Sequence, residues 1–168
     1  MVKMVSKTVH GNVFQINVKP EKVGQRGLPK YPAEWALVTS SGLDGDFNRW
    51  RHEKAHDDLA MAILFMPLES IEELQGEGWP IKPGDIGENF TTEGIPYDSF
   101  APGKRYQIGK AVIRITKPCD PCSNLYALPN IGKDKDIVKA LYNRRGWYAS
   151  VETEGWVAKG DSVTEVTT

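Results

Sequence analysis

Two cysteines separated by two residues are the first feature of this sequence that could carry chemistry. Cys119 and Cys122 stand in the run Lys117-Pro118-Cys119-Asp120-Pro121-Cys122. This spacing lets two thiols share a metal ion, form a redox disulfide, or react when one of them becomes a sulfenate or persulfide. The prolines restrict the backbone, and the positive charge of Lys117 favours a thiolate. The alternative is that both cysteines are small, unreactive core residues.

A second cluster, residues 44–56, combines carboxylates with basic side chains. Its arginines carry forked donors that suit a phosphate. His52 and His56 would face one way on a helix, and with the two cysteines they could form a zinc site. Structural zinc modules usually keep all ligands within a compact stretch, so zinc is the less favoured interpretation, and a solvated loop is the alternative to an anion site.

A third candidate is the glycine-containing loop at residues 83–90. Gly84 and Gly87 allow the backbone to turn with positive φ and to present N–H groups to an anion or a polar ring. The loop lacks the Gly-Lys-Ser/Thr end of a Walker loop, and it is not a dinucleotide fingerprint. Glu88 and Asn89 would either line a pocket or cap neighbouring backbone.

The elements that position these residues are predicted to be mainly strands. Alternating apolar residues indicate a strand at residues 8–18, and short apolar runs indicate strands at 35–38 and 59–65. Pro67 and the apolar stripe after it predict a short helix up to Gly76. Between these elements we expect a turn-rich connection at residues 20–32 and a polar loop at 40–56.

The second half of the chain is predicted to contain a hairpin, one more helix and two further strands. A strand at residues 89–92 precedes the hairpin, whose strands 106–108 and 111–116 flank Gly109-Lys110. An apolar stripe at residues 134–145 predicts a helix capped by Asp134 or Asp136. Strands follow at 147–151 and 162–166. The expected fold class is therefore mainly β, one domain over residues 1–168 with its core at about 9–166 and about two helices.

Composition excludes several broad classes of protein. The chain has 168 residues, of which 40% are hydrophobic and 26% charged, as in an ordinary globular domain. Its 21 basic and 22 acidic residues give a net charge of −1, which argues against a general nucleic-acid binder. No apolar run is long enough for a membrane span, and residues 1–8 show no signal-peptide pattern. Two cysteines are too few for a disulfide scaffold, so we expect a cytoplasmic protein.

Several of these segments, taken in order, resemble the MOSC family, which is named after the molybdenum cofactor sulfurase C-terminal domain. The resemblance runs from about residue 9 to 166 and is strongest to small standalone bacterial members. It is carried by residues 42–46, 84–94, 108–109, 121–122, 146–151 and 160–161. It implies a β-barrel-like fold with flanking helices.

The resemblance also implies a role in molybdenum cofactor or sulfur handling. Cys122 matches the family cysteine that carries a persulfide or ligates molybdenum, and some relatives reduce N-hydroxylated bases and amidoximes. The residues that would then hold the molybdopterin are Asp46, Arg49, Arg51, His52, Gly84, Gly87, Glu88, Asn89 and Lys117. A sulfur donor or redox protein is an implied partner. Pyridoxal phosphate is not expected, because in larger sulfurases it belongs to a separate domain that this chain is too short to hold.

One departure from the family pattern concerns Cys119, which stands where relatives usually carry an arginine. The change removes a direct anion contact and introduces a thiol that could resolve an oxidised or persulfidated Cys122. Two other function classes stay open on the sequence. They are a non-catalytic module that captures a small anion and a zinc-stabilised structural domain.

Overall fold

The computed structural model of the protein describes residues 8–132 and 135–167. The candidate helix cap Asp134 and residues 1–7 of the segment examined for a signal peptide lie outside this range. The strands of the described residues are β1 (His10–Val18), β2 (Tyr31–Ala33), β3 (Trp35–Thr39), β4 (Gly42–Leu43), β5 (Ile63–Pro67), β6 (Phe90–Glu93), β7 (Arg105–Ile108), β8 (Ala111–Pro118), β9 (Trp147–Thr153), β10 (Gly155–Ala158) and β11 (Ser162–Glu165).

Seven of these strands form a closed barrel. Their order around it is β1-β11-β7-β8-β9-β5-β6, and β6 pairs with β1 to complete the circle. The pair of β5 and β6 is parallel, whereas the other barrel pairs are antiparallel. Strand β2 extends the sheet beyond β1, and β10, β3 and β4 form a separate small sheet. Closure leaves the barrel strands without free edges.

The barrel is filled by the inward-facing residues of alternating strands. In β8, for example, Ala111, Ile113 and Ile115 are buried whereas Arg114 is exposed. Aromatic rings from β5, β6 and β7 and from the segment before β7 pack at the centre: Phe65, Phe90, Phe100 and Tyr106. The predicted mainly β fold is therefore confirmed, as is the hairpin of β7 and β8, in which Ile108 pairs with Ala111.

Three short helices occur in the described residues, one more than the sequence predicts. They are α1 (Arg49–Lys54), α2 (Leu68–Gly76) and α3 (Ile137–Ala140). Helix α2 begins after Pro67, as predicted, and buries Ile71 and Leu74 in a second apolar cluster that also contains Ile137 of α3. No helix of the described chain has the length and apolar character needed to cross a lipid bilayer.

The prediction of a polar loop at residues 40–56 is wrong. The segment contains β4 and α1, because Leu43 is buried and the side chain of Asn48 caps the helix by accepting from the Arg51 N–H. Since α1 ends at Lys54, His56 does not share a helical face with His52.

Three other predicted boundaries also change. Residues 59–65 were expected to form a strand, but Asp58 caps a 3-10 turn at Leu59–Met61, and the strand runs from Ile63 to Pro67. The connection predicted at residues 20–32 already enters β2 at Tyr31. The helix expected at 134–145 is confined to α3, whose cap is the predicted Asp136, and Asn143 with φ +61 leaves the helical region. Strand β10 was not predicted.

Candidate functional site

A cavity of about 280 Å³ lies beside the end of β8, and both cysteines line it. Cys119 follows the strand directly and is buried against Met61, Leu64 and Tyr148. Cys122 is half-buried and precedes a 3-10 turn, where its carbonyl accepts from the Leu125 N–H. The more accessible thiol is therefore Cys122, as the nucleophile of such a pair must be.

The environment of Cys119 favours its neutral thiol. Burial raises the pKa of Cys119, and the positive charge of Arg145 only partly opposes that shift. Burial also raises the pKa of the neighbouring Tyr148, and the adjacent Cys119 adds to that rise. Both groups are therefore neutral at physiological pH, and they add no negative charge to the cavity.

Gly146 lies between Arg145 and the start of β9, and it is hydrogen-bonded to Cys119 at the end of β8. Its carbonyl accepts from the Cys119 N–H at 2.8 Å, and the Tyr97 hydroxyl bonds to both its N–H and its carbonyl. Its φ is +107, and a Cβ at this position would clash with the Phe65 carbonyl oxygen. Only glycine fits here, so the backbone on both sides of Gly146 is held in a fixed position.

Arg145 is the buried cation of this cavity. The residue is 6% exposed, and its Nε and Nη1 have no hydrogen-bond partner among the described residues. It lines the cavity together with Gly87, where a Cβ would come within 3.9 Å of its Nη2. A guanidinium with unused donors in a cavity wall can bind a carboxylate, a phosphate or a similar anion.

Lys30 is a second buried cation in the wall, but its charge is compensated. Its Nζ forms an ion pair with Asp46, which also accepts from the Asn89 side-chain amide at 2.8 Å and from the Lys19 N–H. Burial lowers the pKa of Lys30, and the Asp46 carboxylate opposes that shift. Asp46 does not line the cavity itself; it holds Lys30 in place.

The glycine-containing loop lies behind the cavity and is tied together by its own polar groups. Glu88 Oε1 accepts from the Gly84 N–H and from the Thr91 hydroxyl, and Oε2 is buried with no partner in the part of the chain that the structure describes. Burial raises the pKa of Glu88. Asn89 bonds to the backbone of Leu64 in both directions. Of the loop, Gly87 reaches the cavity wall.

The basic residues predicted from the sequence fall into two groups. Arg49 and Lys117 line the cavity, and a neighbouring cleft of about 250 Å³ shares Arg49 and Cys122 with it. Arg51 instead donates to the carbonyls of Ser41 and Met61 and braces the loop between them.

His52 is exposed and bonds to Asp57, and it lines neither the cavity nor the neighbouring cleft. Within residues 8–132 and 135–167, no group of three potential metal ligands comes together.

Sequence reasoning missed Arg145 and Lys30 as site residues. Arg145 is the last residue of the helix predicted over residues 134–145, next to Arg144, and nothing in the sequence separates the two. In the structure Arg144 points to Glu77 and forms two bonds of 2.6 Å with it, whereas Arg145 turns into the cavity. Lys30 stands in a turn-rich segment whose path past the loop at Gly84 depends on tertiary contacts.

Comparison with known proteins agrees with this fold. A family model described as the MOSC domain matches residues 52–164, more than half of the chain. The protein YiiM of Escherichia coli strain K12 is 27% identical over 128 residues, which are 73% of this chain and 55% of YiiM. The chain thus spans only about half the length of this curated relative.

Solved structures show the same barrel. The YuaD protein of Bacillus subtilis matches with a TM-score of 0.76 at 17% identity, covering 96% of this chain and 99% of YuaD. YiiM of Geobacillus stearothermophilus matches with a TM-score of 0.68 at 26% identity, covering 94% and 75%. YiiM of Escherichia coli matches with a TM-score of 0.66 at 21% identity, covering 96% and 70%.

Proposed function

Because the chain belongs to the MOSC domain family, we propose that its cavity binds the molybdenum cofactor, with Cys122 as the thiolate that ligates the metal. The observation that carries the proposal is the half-buried Cys122 in the same cavity wall as the unpartnered guanidinium of Arg145. A soft sulfur ligand and an anion-binding group are the two contacts that a molybdenum centre on a phosphorylated pterin requires.

The residues present fit this group in chemistry and in space. The main cavity is close to the lower limit of small-molecule sites, and the cleft that shares Arg49 and Cys122 extends it. Two buried guanidinium nitrogens lack partners, and a thiol is available at the mouth. The bound group would supply two-electron reduction with removal of oxygen from an N-hydroxylated compound.

Several of the site residues have a definite part in this proposal. Cys122 binds the metal, Arg145 binds the anionic end of the cofactor, and Lys117 and Arg49 increase the positive potential at the mouth. Asp46 and Asn89 act indirectly by holding Lys30 and Leu64 in the wall. A redox protein must supply the electrons, and the two free thiols agree with a reducing compartment such as the cytoplasm.

Sulfur carriage is the second candidate, and the position of Cys119 beside Cys122 favours it. A donor protein that carries a persulfide would transfer its outer sulfur atom to the Cys122 thiolate and release its own cysteine as a thiolate, so that Cys122 becomes a persulfide. The Cys119 thiolate can then attack the Cys122 sulfur, so that the bond to the outer sulfur breaks, a disulfide forms and hydrosulfide leaves. A thiol reductant would restore the two cysteines. The raised pKa of Cys119 makes this attack slow at neutral pH.

The decisive experiment is to express the protein in a cofactor-competent host and to measure molybdenum and pterin per chain. We expect close to one of each in the wild type and a loss of molybdenum in Cys122→Ser, because a hydroxyl is a poor ligand for this metal. Cys119→Ser is the matched control and should retain molybdenum.

Two other results would decide against the cofactor proposal. Folded wild-type protein without molybdenum and pterin would overturn it. In that case a persulfide on Cys122, detected by mass spectrometry after incubation with a sulfur donor, would support sulfur carriage. A ligand affinity that is unchanged in Cys122→Ala would instead support a binding module without catalysis.

A further inference from the structure

Arg145 presents a physical problem that the described residues do not solve. Its side chain is almost completely buried, and two of its nitrogens have no hydrogen-bond partner. A buried charge without a partner is destabilising, so natural structures retain one chiefly where a bound ligand provides the missing partner. The adjacent Arg144 shows the usual solution, since both of its terminal nitrogens bond to Glu77 at the surface.

The anionic groups nearest to Arg145 do not compensate its charge. No carboxylate of the described residues forms an ion pair with it. Glu88 uses one oxygen for Gly84 and Thr91, and burial favours its neutral form. Cys119 is held as a neutral thiol by burial.

The other cations of the cavity do not correct this imbalance. Lys30 is neutralised by Asp46, and Arg49 forms an ion pair with Glu53. Lys117 lines the cavity as an exposed lysine. Asp120 also lines the cavity, so Arg145 and Lys117 together exceed the unpaired acidic groups of the described wall by one charge. A cavity of about 280 Å³ holds a tetrahedral oxyanion easily.

We propose that Arg145 is the core of a binding site for a tetrahedral oxyanion, either free or as the terminal phosphate of a larger ligand. The proposal rests on the proposed function in that both place the ligand in the cavity beside Cys122. It adds that the cavity selects a tetrahedral oxyanion in its own right, whatever group carries it. It requires neither molybdenum nor pterin, so it can stand if that function fails.

The test is calorimetric titration of the purified protein with inorganic phosphate at pH 7 and constant ionic strength. We expect saturable binding by the wild type and binding at least about tenfold weaker in Arg145→Gln, the loss typical of a charged hydrogen-bond partner. Arg144→Gln is the matched control, since it removes the neighbouring guanidinium outside the cavity, and it should bind like the wild type. Equal affinities of the two variants, or no binding by the wild type, would overturn the proposal.

A second titrant distinguishes the two sources of the oxyanion. If the site receives the phosphate of a larger ligand, phenyl phosphate will bind at least as tightly as inorganic phosphate. If it receives a free oxyanion, inorganic phosphate will bind and the ester will not. Either result supports the oxyanion site, whereas failure of both titrants overturns it.

Protection of Cys122 provides a measurement that does not depend on a variant. Phosphate in the cavity should slow the alkylation of Cys122 by iodoacetamide, followed by peptide mass spectrometry, whereas sodium chloride at equal ionic strength should not. This test applies even if Arg145→Gln fails to fold. Unchanged alkylation at a phosphate concentration that stabilises the protein would place the anion elsewhere and overturn the proposal.

Discussion

At the scale of single residues, the site depends on charged groups that the fold has separated from their usual partners. Among the residues that the structure describes, no carboxylate pairs with Arg145 and no donor reaches one oxygen of Glu88, although both side chains are buried in the same region. The coulombic influence of Arg145 lowers the pKa of Glu88, but burial has the larger effect and raises it. The protonation of Glu88 therefore changes the charge that surrounds Arg145.

The raised pKa of Glu88 predicts a pH dependence of stability with a definite sign. The folded protein keeps a proton on Glu88 at pH values where the unfolded chain, with an ordinary pKa near 4.5, has lost it. The free energy of unfolding must therefore fall as the pH rises above that value toward the raised pKa. Glu88→Gln cannot lose a proton, so it should gain stability relative to the wild type between pH 5 and pH 8.

Urea denaturation of both proteins across this pH range measures the difference. Glu72→Gln, on the exposed face of α2, removes a carboxylate without burial and serves as the control. A difference between wild type and Glu88→Gln that stays constant with pH would contradict the prediction.

Residue types and spacing were sufficient to identify part of the site. The Cys-x-x-Cys run drew attention to the cavity wall, since the spacing of the thiols is local information. Arg145 was missed because its burial depends on contacts with residues that are distant in the sequence. The sequence itself gives no reason to distinguish Arg145 from Arg144. His52 and Arg51 were predicted as site residues because of their chemistry. The structure places His52 on the surface, and it places Arg51 where its guanidinium donates to backbone carbonyls.

At the scale of elements, the position of the site depends on the ends of β8 and β9. Cys119 follows β8, Arg145 comes shortly before β9, and Gly146 connects the two through the hydrogen bond to Cys119. Both the positive φ and the close Phe65 carbonyl require glycine at this position. A side chain at Gly146 would therefore displace the thiol and the guanidinium together.

Gly146→Ala should lower the free energy of unfolding by about 2–4 kcal/mol, because it combines backbone strain with overpacking. It should also weaken phosphate binding. Gly103→Ala is the matched control, since Gly103 has a similar φ of +91 but open space around its Cα, and it should cost about 1–2 kcal/mol. Chemical denaturation measures both values, and equal losses would mean that the Phe65 contact is relieved at little cost.

Local sequence patterns predicted the strands better than the helices. Alternation identified β1, and a two-residue turn identified the β7–β8 hairpin, since both depend on neighbouring residues. The apolar stripe at residues 134–145 predicted a helix longer than α3, because Leu141 is buried in the second apolar cluster without being part of the helix. Apolar periodicity reports burial, and tertiary packing can bury a turn as well as a helix.

At the scale of the whole molecule, the barrel is completed by the pairing of β1 with β11. Gly11 pairs with Val163, and Val163 also pairs with Ile108 of β7. Val163 is fully buried in the main core, so one short strand contributes to two sheet contacts and to the interior. Because Ile108 also pairs with Ala111, the first residue of β8, this closure lies at the opposite end of β8 from the cavity.

Val163→Ala should lower the free energy of unfolding by about 1–3 kcal/mol through lost apolar contact and a small cavity. Thr164→Ala is the matched control on the opposite face of β11 and should cost less than about 1 kcal/mol, although it removes the bond to His10. Urea denaturation checks the two values. A larger loss from Thr164→Ala would show that closure depends on the outer face.

The same pairing places the two ends of the described chain next to each other. The N–H of Glu165 donates to the carbonyl of Val9 at 3.0 Å, so the chain enters and leaves the barrel at one point. A short linker between these ends would allow circular permutation without a change in any strand pair. For the same reason a host protein could carry such a barrel as an insertion in a surface loop, and the cavity with its arginine would be transferred intact.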